Sequence, residues 1–169
     1  RTGELMPALV LMNSAAPGIY LFEEIYNGVP ISNGAAAAGR RDFGSLIVGQ
    51  TTPWLRIAVR NSNGSTMTLS LPTLSGATSD FIVDTTYYDT TPGGQSTTYF
   101  DIRFAPASAG VKNATISITH NALNTANPFT FALRGTGAVN APVVRVFETS
   151  GAGPQVAHGS AATDGRDFG

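Results

Sequence analysis

Few side chains in this sequence are of the types that carry out acid–base or nucleophilic chemistry. The chain has no cysteine and two histidines, His120 and His158. Nucleophilic hydrolysis needs a serine, a histidine and a carboxylate in mutual hydrogen-bonding reach, and no Gly-x-Ser-x-Gly motif is present. His120 is predicted to be a turn residue at a strand end, and His158 lies in a predicted solvated loop. We therefore expect no catalytic residues, no cofactor and no enzymatic activity.

Two further patterns have a known chemistry in other proteins but lack the residues that accompany it there. The triplet Asp-Phe-Gly, which holds magnesium in protein kinases, occurs at 42–44 and 167–169 without a catalytic-loop motif or a partner lysine on a strand. An intramolecular isopeptide bond would need Lys112, the only lysine, buried together with an Asn or Asp and an acid. Lys112 begins a predicted strand and is expected to be exposed, so neither chemistry is expected.

Four aromatic residues are candidates for a surface on which a sugar ring stacks: Trp54, Tyr87, Tyr88 and Tyr99. Trp54 and Tyr99 lie on the polar phase of their predicted strands, which predicts that some of these rings are exposed. Exposed aromatic residues are also typical of packing between copies or subunits. The sequence leaves open both a glycan- or ligand-binding face and a packing joint.

The composition excludes several function classes. Only 12% of the 169 residues are charged and the formal net charge is −1, which excludes a basic nucleic-acid binder, a coiled coil and an acidic tail. The 20 Thr and 13 Ser outnumber the charged residues, as is typical of β-proteins outside cells. The longest apolar run, 5–12, is too short for a membrane span, which needs about 20 residues. We predict an extracellular or cell-surface protein with no nucleic-acid partner.

The chain repeats itself. Residues 16–44 and 141–169 align without a gap at an offset of 125, with 12 identities in 29 positions. We therefore predict one full copy at 17–141 and the opening of a second at 142–169. Residues 1–16 are predicted to be a strand or linker, either the end of a preceding copy or a strand donated to a neighbour's sheet edge, and the sequence equally allows a tail packed on its own domain. Because so short an opening cannot bury its own strand, 142–169 is expected to continue along the chain or to dock on a neighbour.

Asp164 and Asp167 are the best-spaced acidic pair for a metal ion. Calcium takes about six to eight oxygen ligands, usually from several closely spaced acidic residues. The first copy has Gly39 at the position of Asp164, which favours ordinary loop acids over a metal site.

Most apolar segments alternate with a period of two, which is the pattern of half-buried strands. Predicted strands cover 18–24, 42–48, 54–60, 66–71, 81–84, 98–104, 112–119 and 128–134. Residues that favour turns, Asn, Gly and Pro, lie between them. The pattern predicts an all-β fold, an antiparallel two-sheet sandwich of seven or eight strands, within a tandem or head-to-tail array.

Three motifs in order, Asp-Phe-Gly at 42–44, Phe-Ala-Pro at 104–106 and Gly-Thr-Gly at 135–137, carry a family resemblance. Their order and spacing over 40–137 resemble the immunoglobulin-like domain of the choice-of-anchor D group of bacterial surface proteins. That group is similar to the abnormal-spindle and hydin type (ASH) domains. The resemblance implies an immunoglobulin-like sandwich, often in tandem on large secreted or surface proteins, with no common catalytic residues.

We therefore expect a non-enzymatic structural repeat of a bacterial fibre, stalk or adhesin, whose partners are other copies of itself. The alternatives are a glycan- or ligand-binding sandwich and an ASH-like intracellular scaffold. Phe43 is predicted to plug one end of the sandwich. The candidate interface residues are Leu5, Leu9, Leu11, Phe22, Phe43, Phe147 and Phe168.

Overall fold

The protein is described by a computed structural model that covers residues 16–24, 28–140, 146–147 and 155–156. The chain divides into two compact units, Arg1–Val139 and Asn140–Gly169. The strands of the first unit are β1 (Ile19–Glu23), β2 (Val29–Ile31), β3 (Asp42–Ile47), β4 (Leu55–Asn61), β5 (Thr73–Gly76), β6 (Phe81–Asp84), β7 (Thr97–Phe104), β8 (Gly110–Ile118) and β9 (Phe129–Ala138). A 3₁₀ turn, Gly39–Arg41, precedes β3.

These strands form two sheets. One has the order β2-β1-β4-β7-β6 and the other has the order β3-β9-β8-β5. The predicted all-β, immunoglobulin-like two-sheet sandwich is therefore confirmed. The sheets are not purely antiparallel. After β2 the chain passes from the first sheet to the second, where β3 pairs parallel with β9. The five-stranded sheet also takes in residues before 40, since β1 lies between β2 and β4.

The predicted strand at 66–71 is wrong. Met67 and Leu69 are buried, as the alternation indicates, but only Leu69 makes an isolated bridge, with His120. The N–H groups of Met67 and Leu69 donate to loop carbonyls, those of Pro92 and Thr90. Leu71, expected to face inward with them, is 55% exposed. The alternation correctly predicted the burial of Met67 and Leu69. It does not determine whether their backbone pairs with a strand or, as here, with a loop.

The core lies between the two sheets and follows the predicted inward phase of the other strands. The buried apolar side chains of the central strands are Leu55, Ile57, Val59, Phe100, Ile102, Phe104, Ala114, Ile116, Ile118, Phe129, Phe131 and Leu133. Ile19, Leu21 and Ile31 extend this core under β1 and β2. Burial of β1 therefore fixes the opening segment of the copy to the sandwich.

Phe43 packs at one end of the sandwich, where it was predicted to lie. Its ring centroid is 5.9 Å from that of Phe81 and 6.1 Å from that of Phe104. A Cβ on Gly135 would lie 2.6 Å from the Phe104 ring, so the close approach of β9 requires glycine there. The Phe-Ala-Pro and Gly-Thr-Gly motifs thus meet at this cluster.

The second unit contains one two-stranded hairpin among its described residues. Its strands are β10 (Val146–Phe147) and β11 (Gln155–Val156), which pair antiparallel.

Candidate assembly site

The hairpin β10–β11 reproduces the hairpin β1–β2 in the same register. Val146 pairs with Val156, and the residues 125 positions earlier, Leu21 and Ile31, pair in the first copy. The next pairs along, Phe147 with Gln155 and Phe22 with Pro30, also correspond. The sequence repeat is therefore a repeat of backbone pairing.

The first hairpin is completed by β4. Five residue pairs join β1 to β4, from Ile19 opposite Asn61 to Glu23 opposite Ile57. Within the described residues, β10 pairs with β11 alone. The edge of β10 that corresponds to the β4-facing edge of β1 has no partner strand among these residues.

A buried ion pair holds the opening segment of the first copy. Glu23 at the end of β1 and Arg41 in the 3₁₀ turn are 2% and 5% exposed, and Arg41 Nε donates to Glu23 Oε1 at 2.8 Å. The Arg41 guanidinium also donates to the carbonyl of Ala36 at 2.7 Å and lies over the Phe131 ring. All three counterparts of Glu23, Ala36 and Arg41 in the second copy are identical in type, as Glu148, Ala161 and Arg166.

Two asparagine side chains that were not among the predicted site residues fasten the same segment to the β8–β9 loop. Asn124 accepts from the N–H of Ile19 and donates to its carbonyl, both at 2.9 Å. Asn33 donates to the carbonyl of Ala126 at 2.7 Å and accepts from the N–H of Thr130 at 2.8 Å. The Asn33-Gly34 dipeptide signals a turn in the sequence, but the contacts of its side chain span more than ninety residues.

The interface candidates remain predictions. Phe22 is half-buried on β1, and Phe43 is partly buried against the core. Leu5, Leu9, Leu11 and Phe168, together with the side chain of Phe147, lie outside the described residues.

The candidate stacking residues separate into exposed and buried rings. Trp54 is 39% exposed and Tyr87 is 66% exposed, whereas Tyr99 is half-buried. Tyr88 was predicted as a stacking residue, but its ring packs edge-on against Phe100 and burial raises its pKa. Its hydroxyl donates to a backbone carbonyl at 3.1 Å, as buried tyrosines commonly do.

Arginine side chains cover the exposed rings. The Arg56 guanidinium lies 5.3 Å from the Tyr87 centroid and 5.7 Å from the Tyr99 centroid, and that of Arg103 lies 4.4 Å from the Trp54 ring. Two hydrogen bonds of 2.9 Å to Asp101 fix the Arg56 fork, and they raise the pKa of Arg56. A sugar ring would have to share these faces with the guanidinium groups.

Lys112 is partly buried, contrary to the sequence prediction that it is exposed. Its side chain is 15% exposed, and Nζ lies 3.8 Å from Asp80 Oδ1 and donates to Ser108 Oγ at 2.6 Å. Asp80 precedes β6 and Lys112 lies on β8, so this ion pair joins the two sheets. The Lys112 stem was predicted exposed because a strand start commonly is, but the β7–β8 loop folds over it.

His120 lies two residues beyond the end of β8, and its side chain is buried, at 6% exposure. Its Nε2 donates to the carbonyl of Ala126 at 3.2 Å, and its backbone N–H donates to Asn127 Oδ1 at 3.1 Å. Burial lowers the pKa of His120 below its usual value. The imidazole acts as a structural spacer under the β8–β9 loop.

This burial predicts a loss of stability in mild acid. Because the pKa of His120 is lowered in the folded protein, the unfolded chain takes up the proton first as pH falls below about 6.5, and the melting temperature should decrease. Melting curves between about pH 7.5 and 5.5 test this for the wild type, His120→Gln and the matched control His158→Gln. The slope should flatten only in His120→Gln, and an unchanged slope there would contradict the prediction.

The described part of the chain contains no group of three or more His, Asp or Glu side chains placed to hold a metal ion, and Asp164 and Asp167 lie outside it. No helix there is long and apolar enough to cross a bilayer.

Comparison with known proteins shows the fold and not a family. No family model and no curated protein matches the chain. A protein of unknown function from Porphyromonas gingivalis W83 is similar at 17% identity and a TM-score of 0.51, over 75% of this chain and 50% of that one, so this chain spans half its length. The ASH/PapD-like domain 7 of human CEP192 is similar at 9% identity and a TM-score of 0.45, over 83% of this chain and 98% of that one. The CooA pilin subunit from enterotoxigenic Escherichia coli is similar at 11% identity and a TM-score of 0.35, over 70% of this chain and 99% of that one.

Proposed function

We propose that the chain is a non-enzymatic structural repeat that joins other copies of itself, head to tail, in a fibre, stalk or adhesin shaft. The observation that carries the proposal is the second hairpin, β10–β11, which repeats the register of β1–β2 at an offset of 125. A chain that begins the same hairpin again after a complete sandwich follows the organisation of a tandem array.

The residues shared by the two copies support this proposal. In the first copy, Glu23 and Arg41 form the buried ion pair, Phe43 packs on the core, and Gly34 and Gly44 have positive φ values of 78° and 67°. These contacts and turns fasten an opening segment to its own sandwich. The same residue types recur in 142–169, as Glu148, Arg166, Phe168, Gly159 and Gly169, which supports the proposal that this segment sits on a second sandwich in the same way.

The surface chemistry supports an extracellular or bacterial cell-surface location, which is part of the proposal. The outer face of the four-stranded sheet carries Thr115, Ser117, Thr130 and Thr136 in its two central strands, with few charges. Such a face stays soluble through hydroxyl groups rather than through charge. Membership of the choice-of-anchor D group is proposed on the sequence motifs alone.

Glycan binding is a second candidate, favoured by one observation. Trp54 and Tyr87 are both exposed beside the strand pair β4 and β7, and an arginine guanidinium lies over each ring. A glycan array in which the wild type binds and Trp54→Ala does not would support this candidate.

The experiment that tests the structural proposal is the mass of the protein purified from its source. We expect either a denatured mass many times the 17.5 kDa of this chain, which indicates a covalent array, or a native mass that is a multiple of it, which indicates a non-covalent polymer. A protein of 17.5 kDa under both denaturing and native conditions would contradict the proposal.

A further inference from the structure

The first and last strands of the sandwich are both interior strands. β1 lies between β2 and β4 in one sheet, and β9 lies between β3 and β8 in the other. Each is therefore hydrogen-bonded along both edges. A chain end that leads into an edge strand has one row of hydrogen bonds to resist a pull, whereas each end here has two.

The chain enters and leaves the sandwich at opposite ends. The carbonyl of Gly18, before β1, accepts from Ser62, just after β4, and the carbonyl of Ala138, at the end of β9, accepts from Val48, before β4. The seven residues of β4 span roughly 20 Å between these two points. A pull applied just before β1 and just after β9 is therefore directed along the axes of these two strands.

The three residues before β1 and the first residue of β1 are each held by a hydrogen bond. Side-chain and backbone donors bind four successive carbonyls: Asn63 binds Ala16, Leu123 binds Pro17, Ser62 binds Gly18 and Asn124 binds Ile19. At the far end of β1 the Glu23–Arg41 ion pair resists sliding as well.

The last strand is held equally closely. β9 pairs with β8 over nine residues, from Gly137 opposite Gly110 to Phe129 opposite Ile118, and with β3 close to its end, at Thr136, Gly137 and Ala138. A Cβ on Gly137 would lie 2.2 Å from the carbonyl oxygen of Ser108, so β9 is seated tightly against the β7–β8 loop.

We propose that each copy is built to resist tension applied through its two chain ends. The proposal rests on the proposed function as a shaft or stalk, in which tension passes from copy to copy. When force acts along a strand axis, all the hydrogen bonds between that strand and its neighbours share the load and break together. When force separates two strands from one end, the bonds break one at a time, and the force needed is much smaller.

Single-molecule pulling on the whole chain tests this directly, and the absence of cysteine makes the attachment points unambiguous. The first variant, Ala16→Cys with Val139→Cys, pulls along β1 and β9. The second, Gln50→Cys with Val139→Cys, pulls at two neighbouring points of one end, so that β9 is peeled away from β3. Complete unfolding should lengthen the chain between the attachment points by roughly 400 Å in the first variant and by roughly 300 Å in the second. These lengths identify the unfolding event in each pulling trace.

We expect the mean unfolding force at one pulling speed to be several-fold higher for the 16/139 pair than for the 50/139 pair. If the two variants have equal melting temperatures, the difference in unfolding force reflects the direction of pulling and not a difference in stability. A 16/139 force equal to or below the 50/139 force, or extension without a distinct unfolding event, would overturn the proposal. Either result would leave the repeat organisation to be decided by the mass measurement.

Discussion

Replacing Arg41 with methionine should lower the free energy of unfolding of the first unit by about 3–5 kcal/mol. The substitution leaves Glu23, which is 2% exposed, with its charge buried and its partner removed. Methionine keeps most of the volume of the arginine stem, so the loss reports the uncompensated carboxylate rather than a cavity. Urea unfolding followed by the fluorescence of Trp54, the only tryptophan, measures the effect in this unit.

Two companion variants separate the ion pair from general damage. In Glu23→Leu with Arg41→Met the charge is removed with its partner, and most of the lost stability should return. Arg40→Met is the matched control, because Arg40 pairs with Glu24 at the surface, where both side chains are more than half exposed and such a pair contributes about 1 kcal/mol or less. A double variant as unstable as Arg41→Met would show that the charge is not the cause.

This ion pair also shows where sequence reasoning stops. The repeat reveals that Glu23 and Arg41 recur as Glu148 and Arg166, but it gives no reason for it. The reason appears only when β1 and the 3₁₀ turn are seen side by side, because the two residues lie on different elements with no periodic relation. The strands themselves were largely predictable, since alternation directly reports which face of a strand is buried.

The wrong predictions about side-chain exposure have one physical origin. Tyr87 and Tyr88 are adjacent and identical in type, yet one is exposed and the other packs on Phe100. Lys112 was predicted to be exposed because it begins a strand, and the β7–β8 loop folds over it. Burial inside a strand follows from its own pattern, whereas burial at a strand end depends on loops whose paths the sequence does not specify.

Removing the ring of Phe104 should destabilise the first unit about as much as replacing Arg41 with methionine. Phe104 is fully buried, and its centroid lies 5.1 Å from that of Phe81 and 6.1 Å from that of Phe43. Phe104→Ala should lower the free energy of unfolding by about 3–5 kcal/mol, because it deletes a large buried surface and leaves a cavity. Tyr87→Ala, at an exposed aromatic residue, should stay within about 1 kcal/mol of wild type in the same urea titration.

A double-mutant cycle with Gly135 tests whether this cluster explains the glycine in the Gly-Thr-Gly motif. In the wild type, Gly135→Ala places a methyl group 2.6 Å from the Phe104 ring, which must shift, and overpacking of this kind costs about 1–3 kcal/mol. In the Phe104→Ala background the space is vacant, so the same methyl group should be nearly neutral or should recover some stability. The two substitutions should therefore be non-additive by about 1 kcal/mol or more. If they are additive instead, glycine at 135 serves the backbone of β9 and not its approach to Phe104.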